Sequence, residues 1–72
     1  MVEVHDLVKI LERQGLTVQR SKDDQGARYY VEGDGAGYVL RGKHLKELQL
    51  EKKLNLAGIR ELSEKLRHKD ET

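Results

Sequence analysis

Residues 16–40, LTVQRSKDDQGARYYVEGDGAGYVL, decide the fold. Leu16, Val18 and Arg20 alternate with Thr17, Gln19 and Ser21, the period of two that sends successive side chains to opposite faces of a strand. Lys22-Asp23-Asp24-Gln25-Gly26 is a polar turn ending in glycine, and alternation resumes from Ala27 to Glu32 through Tyr29 and Val31. Gly33-Asp34-Gly35-Ala36-Gly37 reverses the chain again as a flexible hairpin loop, and Tyr38-Val39-Leu40 forms a third strand. Two tight connections between three strands predict an antiparallel meander. Such a sheet needs a helix across one face to bury its apolar side chains.

The flanks supply helices. Val4, Leu7, Val8 and Leu11 follow the i, i+3, i+4, i+7 rule, with Glu3, Lys9, Glu12 and Arg13 off the stripe, so residues 3–14 read as an amphipathic helix closed by Gly15. After the sheet, Leu45 and Leu48 set one apolar phase and Ile59, Leu62 and Leu66 another, while Leu50, Leu54 and Leu56 fit neither. A break near residues 53–55 reconciles the two phases, with Asn55 as the N-cap of a helix over about 56–68. The alternative is a hairpin in which Leu48-Gln49-Leu50 and Leu54-Asn55-Leu56 alternate across Glu51-Lys52-Lys53. The expected fold is α+β, in the order α-β-β-β-α-α. It occupies one domain, residues 1–68, followed by a charged tail, 69–72, that should fray.

Composition narrows the class. A domain of 72 residues buries only about 60% of the surface its unfolded chain exposes, so its stability is modest or shared with a partner. There is no Cys, which excludes disulfides and thiolate metal sites. No run of ~18 apolar residues suggests a membrane span, and no secretory signal is visible, so a cytoplasmic protein is the expectation. Lys and Arg (14) nearly balance Asp and Glu (13), but unevenly. Residues 1–40 carry five basic and seven acidic residues (net −2), and residues 41–72 carry nine and six (net +3). The second half thus admits an anionic partner.

Catalytic patterns fail on inspection. Gly37 to Lys43, GYVLRGK, matches the first seven positions of a phosphate-binding loop, but Tyr38-Val39-Leu40-Arg41 are strand formers whose N–H groups belong in a ladder. His44 stands where the motif needs Ser or Thr for Mg²⁺. The G-x-G-x-G of residues 33–37 precedes a strand instead of opening a helix, so it is not a dinucleotide fingerprint. His5, His44 and His68 are scattered without metal-ligand spacing. The carboxylate pairs Asp23/Asp24 and Glu32/Asp34 sit on turns that a meander places at opposite ends. Neither an enzymatic activity, a metal nor a cofactor is expected.

What remains are cations and leucines. If Tyr29 and Val31 face the core, then Arg28, Tyr30 and Glu32 face outward. Arg28 and Tyr30 with Arg41, Lys43 and Lys46 then form a candidate strip for phosphates and stacked bases, which Glu32 dilutes. On the last helix the pair Glu61 and Lys65 has the spacing of an ordinary solvated face. Leu45, Leu48, Leu50, Leu54, Leu56, Ile59, Leu62 and Leu66 are a large apolar supply for so short a chain. A surplus would be covered by a partner or a second copy, as would an open sheet edge.

LVKILERQGLTVQR leading into the meander and GKHLKELQLEKKLNLAGI closing it resemble, over about residues 5–60, the small HicA-type toxins. That resemblance implies a double-stranded-RNA-binding-like fold. The family's essential His follows a Ser on the strand region, where this chain has Ser21-Lys22-Asp23-Asp24, so the ribonuclease activity is not implied. GARYYVEG and HLKELQLEKKLNLAGIREL are similar, over about residues 26–66, to the wing and following helices of MerR-type regulators. Those proteins place a full helix-turn-helix before the wing, and here only one helix and a strand precede it. Both resemblances imply nucleic acid. The expectation is a non-catalytic nucleic-acid-binding or regulatory domain of phage or mobile-element type. The alternative is a protein-interaction module (adaptor, inhibitor or antitoxin-like) that self-associates through its C-terminal leucines or a sheet edge.

Overall fold

The meander is present in full. In the computed structural model, which describes residues 3–70 and the side chains of residues 3–67, the chain runs α1 (Val4–Arg13), β1 (Thr17–Asp23), β2 (Gly26–Gly33), β3 (Ala36–Leu40), α2 (Gly42–Leu50) and α3 (Leu56–Asp70). The three strands form one antiparallel sheet in the order β1-β2-β3. This is the predicted α-β-β-β-α-α arrangement. α3 carries helical backbone through Lys69 and Asp70, and Glu71 and Thr72, the rest of the expected tail, lie outside the described residues.

Both hairpin loops are tighter than the sequence suggests. In the first hairpin only Asp24 and Gln25 lie between the paired Asp23 and Gly26, the Asp23 carboxylate accepting the Gln25 N–H at 2.8 Å and Gly26 taking a positive φ of 112°. In the second, Asp34 (φ 54°) and Gly35 (φ 77°) both adopt left-handed backbone, the geometry of a two-residue type I′ turn. The flanking Gly33 and Ala36 pair directly, and Gly37 continues the ladder opposite Glu32. The expected five-residue loop is therefore a two-residue one.

The alternation sorts the sheet as predicted. Tyr29 stands opposite Arg20 and Leu40, and Val31 opposite Val18 and Tyr38, on the face that the helices cover. Leu7 and Leu11 of α1, Tyr29 and Val31 of β2, Leu40 of β3, Leu45 and Leu48 of α2, and Leu54 and Ile59 close one core. Fully burying a side chain of this kind stabilises by about 1.5–3 kcal/mol. α1 packs on β1 and α2, α2 on β2, and α3 runs beside β3.

The two helix stops share one device. α1 ends with Gly15 at φ 89°, Gly15 N–H donating to Glu12 C=O at 3.0 Å and Leu16 N–H to Leu11 C=O at 3.3 Å. These are the two bonds of a Schellman motif. α2 ends the same way, Lys52 N–H donating to Gln49 C=O at 3.1 Å and Lys53 N–H to Leu48 C=O at 2.8 Å. Here the left-handed residue is Lys52, at φ 59°. Asn55 then caps α3, its side-chain oxygen accepting from the Gly58 N–H at 2.8 Å while its backbone carbonyl accepts from Ile59. Residues 51–55 thus break the helix between Leu50 and Leu56, and the hairpin alternative for 48–56 is excluded. Gln14 ties α1 to this break by donating from Nε2 to the Leu54 carbonyl at 2.9 Å.

Candidate functional site

The predicted cations gather partly. Arg41 is held as a clip: its guanidinium donates to both Asp23 carboxylate oxygens, at 2.9 and 2.6 Å, and to the Ala27 carbonyl (3.3 Å) and the Gln25 side-chain oxygen (3.4 Å). It pins the β1–β2 turn to the start of α2. The hydrogen bond from Arg41 and that from the Gln25 N–H draw the Asp23 pKa down from 3.8 to about 2, with a lesser pull from Arg28. The Arg41 pKa is raised by the same partnership. Much of the Arg41 charge is therefore compensated within the fold.

The remaining members divide between two faces. Arg28 is exposed on the outer face, near Asp23, and so is brought together with Arg41. Tyr30 shares that face and is 38% exposed. Its ring lies over Gly37, where a Cβ would collide with the phenol oxygen and Cζ. The glycine leaves a bare patch of backbone, and the neighbouring strand's aromatic covers it. Lys43 and Lys46 are exposed on α2, which packs against the opposite face. Glu32 is exposed among the outer residues.

The histidines are likewise separate. His44 caps α2: its Nδ1 accepts the Arg41 N–H at 3.1 Å, which requires that nitrogen to be unprotonated. Burial, then the Lys43 charge, lowers its pKa below 6.5. His5 is exposed, and the His68 side chain lies outside the described residues. Among the described residues no group of three or more His, Cys, Asp or Glu side chains could hold a metal ion. No helix among them is long and apolar enough to cross a membrane.

Most of the leucine supply is consumed at home. Leu45, Leu48, Leu54 and Ile59 are buried and Leu56, Leu62 and Leu66 half-buried, leaving Leu50, at 82% exposure, as the single exposed member of the set. The leucines therefore offer little surface to a partner.

The sheet edges offer more. In a two-residue hairpin the flanking pair, Gly33 and Ala36, exchanges both hydrogen bonds, and bonded pairs then alternate along the ladder. The N–H and C=O of Tyr38 and Leu40 thus point into β2, and those of Gly37 and Val39 point away from it. Among the described residues, no turn, cap or side-chain bond reaches Gly37 or Val39. The expectation that every N–H of this stretch lies in the ladder holds only for alternate residues. β1 has an open edge too, but it is guarded by the charged side chains of Arg20 and Lys22. β3, AGYVL, carries no charge at all.

Beside the β3 edge lies a groove of about 610 Å³, lined by Gly37, Tyr38 and Val39 and by Arg60, Ser63, Glu64 and Arg67 of α3. Arg60, Ser63, Glu64 and Arg67 are spaced i, i+3, i+4, i+7, a polar stripe next to Ile59 and Leu62, which turn toward the core, and to Leu66, which also lines the groove. The volume is within the range of about 300–1,000 Å³ common for ligand pockets. The Ser63 hydroxyl is buried there without a hydrogen-bond partner. Val39, 51% exposed, carries the apolar floor out onto the Tyr30 side of the sheet. Arg60 and Arg67 belong to the same helix as Glu61 and Lys65, whose spacing reads as an ordinary solvated face. The spacing was visible, but only the lie of α3 along β3 gives it a counterpart.

No protein-family model matches the chain, and neither a curated protein nor a solved structure is significantly similar to it.

Proposed function

We propose that the chain is a non-catalytic protein-interaction module that receives a partner by strand addition to an open edge of its sheet. The observation that carries this reading is the uncharged β3 edge, whose Gly37 and Val39 backbone groups are unpaired and flank a groove. An exposed edge of this kind templates another strand, and natural domains either guard it or use it. The test is a selection of random decapeptides against the immobilised chain, repeated on Val39→Pro. Proline removes an N–H that the β2–β3 ladder does not use, so the fold tolerates it while the edge loses a donor. Binders that lose affinity for Val39→Pro support the reading, and a selection that yields no binder refutes it.

A second reading, a nucleic-acid-binding or regulatory domain, is favoured by exposed Arg28, Lys43 and Lys46, which form no salt bridge among the described residues. Its test is duplex DNA and RNA binding by Arg28→Glu, Lys43→Glu and Lys46→Glu combined, with salt dependence measured on the parent chain. Arg41 is left intact, because its loss would free the β1–β2 turn. Affinity that neither the triple substitution nor salt changes removes this reading.

A further inference from the structure

We infer that the groove between β3 and α3 takes an extended segment of a partner protein that carries acidic side chains. This rests on the strand-addition reading and assigns its place and its chemistry. Two independent features of the groove converge. The backbone of Gly37 and Val39 offers two donors and two acceptors at strand spacing, a pattern that a nucleic acid or a helix does not match and an extended peptide does. The opposite wall carries two arginines, Arg60 and Arg67, and one carboxylate residue, Glu64, so its lining is net positive.

Charge also chooses the occupant. A second copy paired through its own β3 would bring the net positive lining of two such grooves, Arg60 and Arg67 with Glu64 in each, to one seam, which opposes association. An acidic segment instead places carboxylates opposite both arginines. β3 spans five residues, Ala36–Leu40, so the complementary core of the segment is of about that length. Its alternate side chains project to the two faces of the extended sheet, and one set meets exposed Val39 and Tyr30.

The experiment uses the decapeptides recovered by random selection, with affinity measured by fluorescence anisotropy. Enrichment of Asp and Glu is expected, with affinity falling about tenfold or more for Arg60→Glu combined with Arg67→Glu. Replacing the peptide's acidic residues by Lys should restore binding to that double variant. A peptide N-methylated at alternate residues, which cannot pair as a strand, should bind about tenfold or more weakly to the unaltered chain. That control leaves the protein untouched and so does not depend on any variant folding. If N-methylation and Val39→Pro abolish binding but the charge reversals do nothing, strand addition stands and the acidic segment is refuted. If neither the charge reversals nor N-methylation matter, the groove is not the site. Association of the chain with itself at β3, seen as a dimer by sedimentation that Val39→Pro dissociates, would overturn the choice of a foreign segment.

Discussion

Replacing Gly58 by alanine sets helix propensity against packing. Gly58 is the third residue of α3, and in an open helix the substitution would stabilise by about 1 kcal/mol. Here a Cβ at residue 58 would collide with the carbonyl oxygen of Lys53 and stand 2.9 Å from its carbonyl carbon. That carbonyl cannot step aside cheaply, because Lys53 N–H donates to Leu48 C=O at 2.8 Å and Lys53 C=O accepts from Asn55 N–H at 2.9 Å. Overpacking costs about 1–3 kcal/mol, and a pinned backbone atom argues for the upper end. After the propensity gain, the net loss is about 2 kcal/mol, or roughly 8–16 °C in Tm for a domain of this size. Thermal unfolding followed by far-UV circular dichroism measures it. The neighbouring Ala57→Gly, at an exposed position, should lose about 1 kcal/mol by propensity alone. A rise in Tm for Gly58→Ala would refute the close approach of the α2–α3 break to the first turn of α3.

Three further outcomes test the caps and the Arg41 clip. Asn55→Ala removes the bond to the Gly58 N–H and should cost about 1 kcal/mol, read as a lower midpoint in urea. Lys52→Gly relieves a left-handed residue and should stabilise by about 0.5–1 kcal/mol, read as a higher urea midpoint, since the αL penalty exceeds the entropy glycine adds to the unfolded chain. Acid unfolding should show two windows. His44 has a folded pKa below its unfolded 6.5, so the stability it contributes is complete above about 6.5 and declines as pH falls below it. Asp23 contributes above 3.8 and loses its contribution as pH falls toward about 2. Asp23→Asn should flatten the lower window only, and stability curves at stepped pH measure both.

The strands were legible because β1 and β2 alternate cleanly and one face of the sheet is buried; Tyr29 and Val31 inward, Tyr30 outward, followed from period two alone. Loop lengths were less legible, because glycines 33 and 37 read as loop although the Asp34-Gly35 pair does all the turning. The shift of leucine phase disclosed the break between α2 and α3, and Asn55 announced its cap. The stop itself was silent, since a lysine occupies the left-handed position where glycine would have marked it. Arg41 looked free because its partner, Asp23, is 18 residues away and meets it only when the first hairpin folds back. The β3–α3 groove has no local signature: one wall is a strand edge, the other a polar helical stripe, and only tertiary packing sets them side by side.

Amide hydrogen exchange along β3 tests the open edge most directly. In the free monomer, Tyr38 and Leu40 amides should exchange slowly and Gly37 and Val39 amides fast, with an acidic decapeptide slowing the second pair. Equal protection of all four in the free chain would mean that the edge is already covered, and strand addition at β3 would have to be abandoned.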